Sequence, residues 1–271
     1  MTNLLVPLSD SHDGNQSDHQ KIRFSNVVVT GTRNYFSGRK WQTIDIQAAS
    51  CLKLPKWLEY TFAYFGVLAC QGDPIFWVSI HRYHHKYVDS DNDTHSPING
   101  FWFSYAGWFF DNGYIVEKYR ERKNVEDLKR QTFYRFLQKT YVCHSLGCGV
   151  LLYAWGGFAY LVWGMGVRIV WVYHITSLVN SVGHIWGNQA WNTGDLSKNN
   201  WWLGVLLFGE GWHNNHHAFE YSARYGLEWW QIDVTWYVIR CLEAVGLATN
   251  IKVPTDAEKV KKSFVISNNT F

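Results

Sequence analysis

The chain has 271 residues, of which 47% are hydrophobic, 18% aromatic and only 17% charged, a composition that excludes disorder, collagen and coiled coil. Its 25 Lys and Arg against 22 Asp and Glu leave a net charge of +3, so no nucleic-acid partner is expected. The five Cys form no C-x-x-C, which argues against a disulfide framework or a thiolate metal site and fits a reducing, cytosol-facing setting.

Residues 1–37 read as a mobile polar arm; they hold no apolar h-region, and Asp10, Asp13 and Asp18 do not suit a transit peptide. Order is expected to begin at Gly38-Arg39-Lys40-Trp41. Residues 57–69 form an apolar run of 13 with one charge, suited to an interfacial or buried helix. Gln71-Gly72-Asp73-Pro74 breaks it. Lys139 and Arg168 are separated by 28 uncharged residues, and Arg168 and Asp195 by 26, where about 20 suffice to cross a hydrocarbon core. Mean hydropathy is −0.23, but spans are a local signal. The expected fold is therefore an all-α, multi-pass integral membrane protein with two transmembrane helices at about 140–162 and 165–184, linked at Gly164-Met165-Gly166, under a cytosolic helical cap. Ten Lys or Arg lie from Arg82 to Lys139 and only Arg168 in the link, which puts both outer flanks in the cytosol. All five Pro fall outside residues 98–253, leaving that stretch free for long unbroken helices.

Two segments carry H-x-x-H-H, His81-Arg82-Tyr83-His84-His85 and His213-Asn214-Asn215-His216-His217. On a helix each triplet aims three imidazoles along one face, and neutral imidazole is the commonest metal ligand. Asn180 and His184 sit one turn apart at the end of the second span, where a polar pair marks function by default. Six to eight ligands exceed the needs of a zinc hydrolase and point to two metals or a much larger site. A pair of irons able to activate dioxygen suits a site among membrane helices, where hydrocarbon C–H bonds resist side-chain acid–base chemistry.

On these strings, with Ala190-Trp191-Asn192-Thr193-Gly194-Asp195 and Gly209-Glu210-Gly211-Trp212, residues 38–254 resemble the membrane-bound acyl desaturases, specifically the plant delta-9 acyl desaturase-like group. The resemblance implies an oxidoreductase with two iron ions that inserts a cis double bond into a fatty acyl chain (acyl-CoA or acyl-lipid). Dioxygen would be the co-substrate and a separate b-type cytochrome or ferredoxin the electron donor. It implies His81, His84, His85, His184, His213, His216 and His217 as iron ligands and Asn180 as holder of a ligand water. Gln71, Trp77 and Thr176 would line an acyl tunnel. The setting would be the endoplasmic reticulum membrane or a plastid membrane, alone or with a full-length desaturase as partner.

The chain departs from the family pattern at one place. No two of its histidines stand five apart, so the family's H-x-x-x-x-H box and the two spans ahead of it are missing. Counting back from Lys53, the box would fall at Ile44 and Ala49, which cannot bind iron, and about fifty residues are lost near Ser50. An inactive paralogue or truncated gene product therefore stays open, and so does a related di-iron hydroxylase, because histidine boxes alone do not choose between removing a second hydrogen and rebinding oxygen. His12 and His19 read as solvated, and His144 and His174 as structural. Asp89, Asp91, Asp93 and His95 do not complete a calcium loop, though one carboxylate here could orient an imidazole. The Trp pairs 201–202 and 229–230 suit membrane-interface anchors, and residues 255–271 read as a polar tail.

Overall fold

The computed structural model describes residues 51–111, 113–115 and 123–264. His12, His19, and the segment holding Gly38, Ile44 and Ala49 lie outside the described residues. Among the described residues the regular elements are all helical, and the only β-type pairings are isolated bridges such as Lys53 with Thr249. Helix α1 (Lys56–Val67) turns Leu58, Ala63 and Val67 inward. Helix α2 (Pro74–Tyr87) opens on Asp73, whose carboxylate accepts from Phe76 N–H at 3.0 Å, with Pro74 at the first helical position, where a missing N–H costs nothing. A π-helical turn (Phe103–Gly107) runs into α3 (Trp108–Phe110), and a 3₁₀ turn (Lys123–Val125) into α4 (Glu126–Lys129). Ala63, Val67, Ile75, Val78, Leu128 and Leu137 make the core that fixes α1, α2 and α4 to the base of α5 (Thr132–Leu161). Arg82 adds a two-pronged pairing, donating to both carboxylate oxygens of Asp127 at 3.1 and 3.0 Å. The triplet helix is thereby locked in rotation.

From Thr132 to Ile185 the chain is long and apolar enough to cross a membrane, and none of its most apolar window is buried. It comprises α5, a π-helical turn (Val162–Val167) and α6 (Arg168–Ile185). The expected link at Gly164–Gly166 is not where the path reverses, because those residues belong to the π-helical turn. The break lies at Gly156 and Gly157, the latter at φ 64° and ψ −155°, a conformation open to glycine alone. On either side of it Gly149 faces Leu161 and Gly164 faces Leu152, the register of an antiparallel hairpin. The helices expected at 140–162 and 165–184 are thus displaced, with arms that end and begin at this glycine pair.

Beyond α6 the expectation of long helices fails. Helices α7 (Trp201–Leu206) and α8 (His213–Ala218) have 6 residues each, α9 (Val234–Ala244) has 11 and α10 (Asp256–Lys262) has 7. Side-chain amides replace the helical ladder between them. Asn214 Oδ1 accepts from the N–H of Ala190 and Trp191 at 2.8 and 2.7 Å, while Asn215 donates to Tyr225 O at 2.6 Å and Gln231 Oε1 at 2.9 Å. Part of the expected polar tail is α10, closed by a reciprocal cap between Thr255 and Glu258.

Candidate metal centre

Three elements converge on one point. Helix α2 brings His81, His84 and His85, the end of α6 brings His184, and α8 brings His213, His216 and His217. Gly183 lets α8 approach, since a Cβ there would stand 3.1 Å from the His213 ring. All seven histidines singled out from the sequence meet here, and they divide into two groups.

The first group is His84, His184, His213 and His217, all buried. His184 Nε2 lies 2.9 Å from His213 Nε2, and His217 Nε2 lies 3.1 Å from the same atom. Three of the four rings have Nδ1 against a carboxylate: His84 on Asp93 at 2.8 Å, His184 on Asp89 at 3.0 Å and His217 on Asp195 at 3.0 Å. An ionised carboxylate only accepts, so each of these Nδ1 atoms carries the proton and each Nε2 presents a lone pair. Burial and then the neighbouring imidazoles hold His84 well below the usual histidine range. Burial likewise pushes His217 down to about 4, although Asp195 works against the shift. Burial would raise Asp195, but hydrogen bonds from His217, Ser197 and Thr193 outweigh it and hold that carboxyl far below its ordinary range. Neutral rings over ionised carboxylates are the protonation state that metal binding requires.

The second group is His81, His85 and His216. His85 Nε2 lies 3.0 Å from both His81 Nε2 and His216 Nε2. Its carboxylate neighbour is Glu220, 3.2 Å from His85 Nδ1 with a side chain 30% exposed. The groups interleave, for the His85 ring is 4.8 Å from that of His217.

The donor set fits a metal ion. Nitrogens at right angles, each about 2.1 Å from one ion, stand about 3.0 Å apart, which matches the separations of His213 from His184 and His217 and of His85 from His81 and His216. His84 Nε2 is buried with no hydrogen-bond partner among the described residues, and so is Asn180 Nδ2 one turn before His184. Unpaired buried polar atoms are costly unless a ligand satisfies them. A small, partly open pocket of about 30 Å³ adjoins this centre, lined by Gln71, Trp77, Trp108, Tyr173, Thr176 and Asn180 among others. Gln71, Trp77 and Thr176 share its wall, with Gln71 Nε2 3.3 Å from Thr176 Oγ1.

The acidic loop contributes through Asp89 and Asp93, as one sequence alternative had it. His95, buried against His84 with ring centroids 4.2 Å apart, joins Asp93 and His84 as a third grouping. His144 and His174 lie apart, bonded to Thr140 Oγ1 at 2.8 Å and Tyr105 hydroxyl at 3.0 Å. Sequence reasoning missed the roles of Asp195, Glu220, Asn214 and Asn215. The only signal was that Asp195 and the two asparagines lay inside strings already notable for their composition.

Comparison with known proteins agrees with this geometry. The family model for fatty acid desaturase matches residues 50–247, beginning where the sequence places the missing segment. The palmitoyl-monogalactosyldiacylglycerol delta-7 desaturase, chloroplastic, of Arabidopsis thaliana is 65% identical over 212 residues, 78% of this chain and 57% of the relative. Delta-9 acyl-lipid desaturase 1 of Arabidopsis thaliana is 59% identical over 213 residues, 79% of this chain and 70% of the relative. The icosanoyl-CoA 5-desaturase of Limnanthes douglasii is 63% identical over 210 residues, 77% and 59% of the two chains. The chain therefore spans 57 to 70% of the length of these relatives.

Proposed function

This chain belongs to the fatty acid desaturase family, and we propose on that premise that its residues form the metal-binding and acyl-binding part of an enzyme that introduces a cis double bond into a fatty acyl chain. The observation that carries the reading is that Asn180 both lines the pocket and stands one helical turn from His184, which sets the pocket beside the imidazole cluster. The seven histidines, with Asn180 through water, would hold two iron ions. Such a centre supplies the oxidant, drawn from dioxygen and two electrons from a b-type cytochrome or ferredoxin, that removes two hydrogens from adjacent carbons.

The protein's own part is positional. Trp77 and Trp108 meet edge to face with centroids 6.0 Å apart and give the pocket an apolar wall, suited to an acyl-CoA or acyl-lipid chain. Gln71 and Thr176 satisfy each other there, and Trp77 donates its indole N–H to the Gln71 carbonyl. The wall thus holds polar atoms without attracting water. Asp89, Asp93 and Asp195 set the tautomers of three ligands.

The hairpin of α5 and α6 would cross the endoplasmic reticulum membrane or, as the chloroplastic relative suggests, a plastid membrane, with the exposed Trp pairs at the interface. A second reading, a catalytically inactive paralogue or a partner of a full-length desaturase, is favoured by one observation: no two histidines stand five apart. The test is expression in yeast lacking its own delta-9 desaturase, comparing this chain with a form in which two spans and H-x-x-x-x-H are inserted after Ser50. The expected result is monounsaturated acyl chains from the extended form and at most a trace from the chain as it stands. Hydroxylated products would favour the hydroxylase, and failure of both forms would overturn the desaturase reading.

A further inference from the structure

We propose that His84, Asp93 and His95 form an accessory position for a first-row divalent cation, which competes with the four-histidine group for His84. The position is independent of the acyl reaction, and the desaturase reading neither requires it nor falls with it.

His95 is the buried histidine that the seven-ligand centre leaves unused. Its ring lies over that of His84, with centroids 4.2 Å apart and planes inclined at 31°, and it also meets Trp108 of the pocket wall at 5.3 Å. A phenyl ring would serve such packing as well. His95 instead buries Nδ1 with no hydrogen-bond partner among the described residues, a costly arrangement unless a ligand completes it. Asp93 supplies the charge. It is fully buried, and its Oδ1 accepts from His84 Nδ1 at 2.8 Å and from His95 N–H at 3.3 Å, while Oδ2 accepts from Asp89 N–H at 2.8 Å. Its ion-pairing partner among the described residues is His84, with no lysine or arginine beside it. Burial favours the neutral form of both rings, so the carboxylate charge has no fixed cation to offset it, and a bound one would be favoured.

Each of the three residues offers one ligand atom, and these lie within 4.8 Å of one another. Two imidazoles and one carboxylate are a donor set known from open sites for Fe²⁺ and Zn²⁺. His84 belongs to both groups, and a neutral imidazole has one lone-pair nitrogen. With its proton on Nδ1, against Asp93, the ring presents Nε2 to the four-histidine group. A cation taken up between Asp93 and His95 occupies Nδ1, and the ring proton moves to Nε2. The ring thus serves one position or the other, and excess cation draws His84 away from the four-histidine group.

The experiment uses the full chain purified in detergent, stripped with chelator, dialysed to equilibrium against Co²⁺ and analysed for metal by mass spectrometry. His184→Gln takes a ligand from the four-histidine group and leaves His84, Asp93 and His95 in place. It is compared with the double variant His184→Gln/His95→Phe, in which a ring of similar size keeps the stack and loses both nitrogens. The double variant should hold one Co²⁺ fewer per chain than His184→Gln, and Asp93→Asn in place of His95→Phe should remove the same ion. Should His184→Gln fail to fold by circular dichroism, His217→Gln serves the same comparison. Equal metal content in the folded single and double variants would overturn the proposal. So would an ion that is lost with His95→Phe and kept with Asp93→Asn.

Discussion

His217 shows how a single side chain makes this centre sensitive to acid. Its ring is held neutral by burial, with its proton affinity pushed down to about 4 against an ordinary value near 6.5. The unfolded chain therefore binds this proton more readily than the folded one, so its contribution to stability is complete above about 6.5 and is lost as the pH falls toward 4. His84 and His95, also depressed by burial, act in the same sense. Metal-free protein in detergent should melt at a markedly lower temperature at pH 5 than at pH 8, with His217 alone worth roughly 3 kcal/mol across the full shift. An equal or higher melting temperature at pH 5 would contradict the neutral-ring assignment. Asn215 carries a different load. It is buried and receives the Trp191 indole N–H at 2.8 Å and the Asn199 amide at 2.7 Å while donating to Tyr225 and Gln231. Asn215→Ala should cost about 3 kcal/mol, because it leaves several buried partners unpaired; a calorimetric change under 1 kcal/mol would refute that clamp.

Among the elements, the hairpin is where sequence and structure part. Absence of charge located the apolar region, yet charge could not locate the turn, since Gly147, Gly149, Gly156, Gly157, Gly164 and Gly166 are all candidates in a uniformly apolar stretch. What decides is backbone conformation at Gly157, a quantity that composition does not encode. Gly157→Ala should therefore destabilise the protein by about 1–3 kcal/mol. Gly147→Ala, in regular helix with open space where its Cβ would stand, should be neutral or stabilise by up to about 1 kcal/mol. Equal effects on thermal unfolding would place the turn elsewhere. The site was more legible than the fold because helical spacing alone unites His81, His84 and His85, and again His213, His216 and His217. Which histidines pair across helices was not legible: His84 joins His184, whereas its sequence neighbour His85 joins His216. Adjacent helical residues point about 100° apart, and only the packing of α2 against α8 tells which ring faces which partner.

At the scale of the whole molecule, the proposed membrane crossing has to reconcile an exposed apolar hairpin with an arginine inside it. Leu151, Trp155 and Phe158 near the turn are 71, 84 and 71% exposed, a surface that water does not tolerate at this extent. Arg168 lies 11 residues beyond Gly157, roughly 16 Å along a helix, and an unpaired charge at that depth would oppose insertion. It is paired: its guanidinium donates to the carbonyls of Gly164 and Leu68, each at 2.6 Å. The second contact ties the hairpin to the end of α1 and lets the charge stay within the protein. With the turn at Gly156 and Gly157, both outer flanks of the proposed crossing would fall on one side, and the excess of Lys and Arg between Arg82 and Lys139 would make that side cytosolic. Glycosylation or protease-protection tags placed after Arg122 and after Phe271 should both report the cytosol, and a tag between Gly156 and Gly157 the opposite side. The protein should also stay with membranes through alkaline carbonate and need detergent for release. Flanking tags on different sides would break the hairpin into a single crossing. They would also separate the His81 triplet from the His213 triplet across a bilayer, which the 3.0 Å approach of His85 to His216 does not permit.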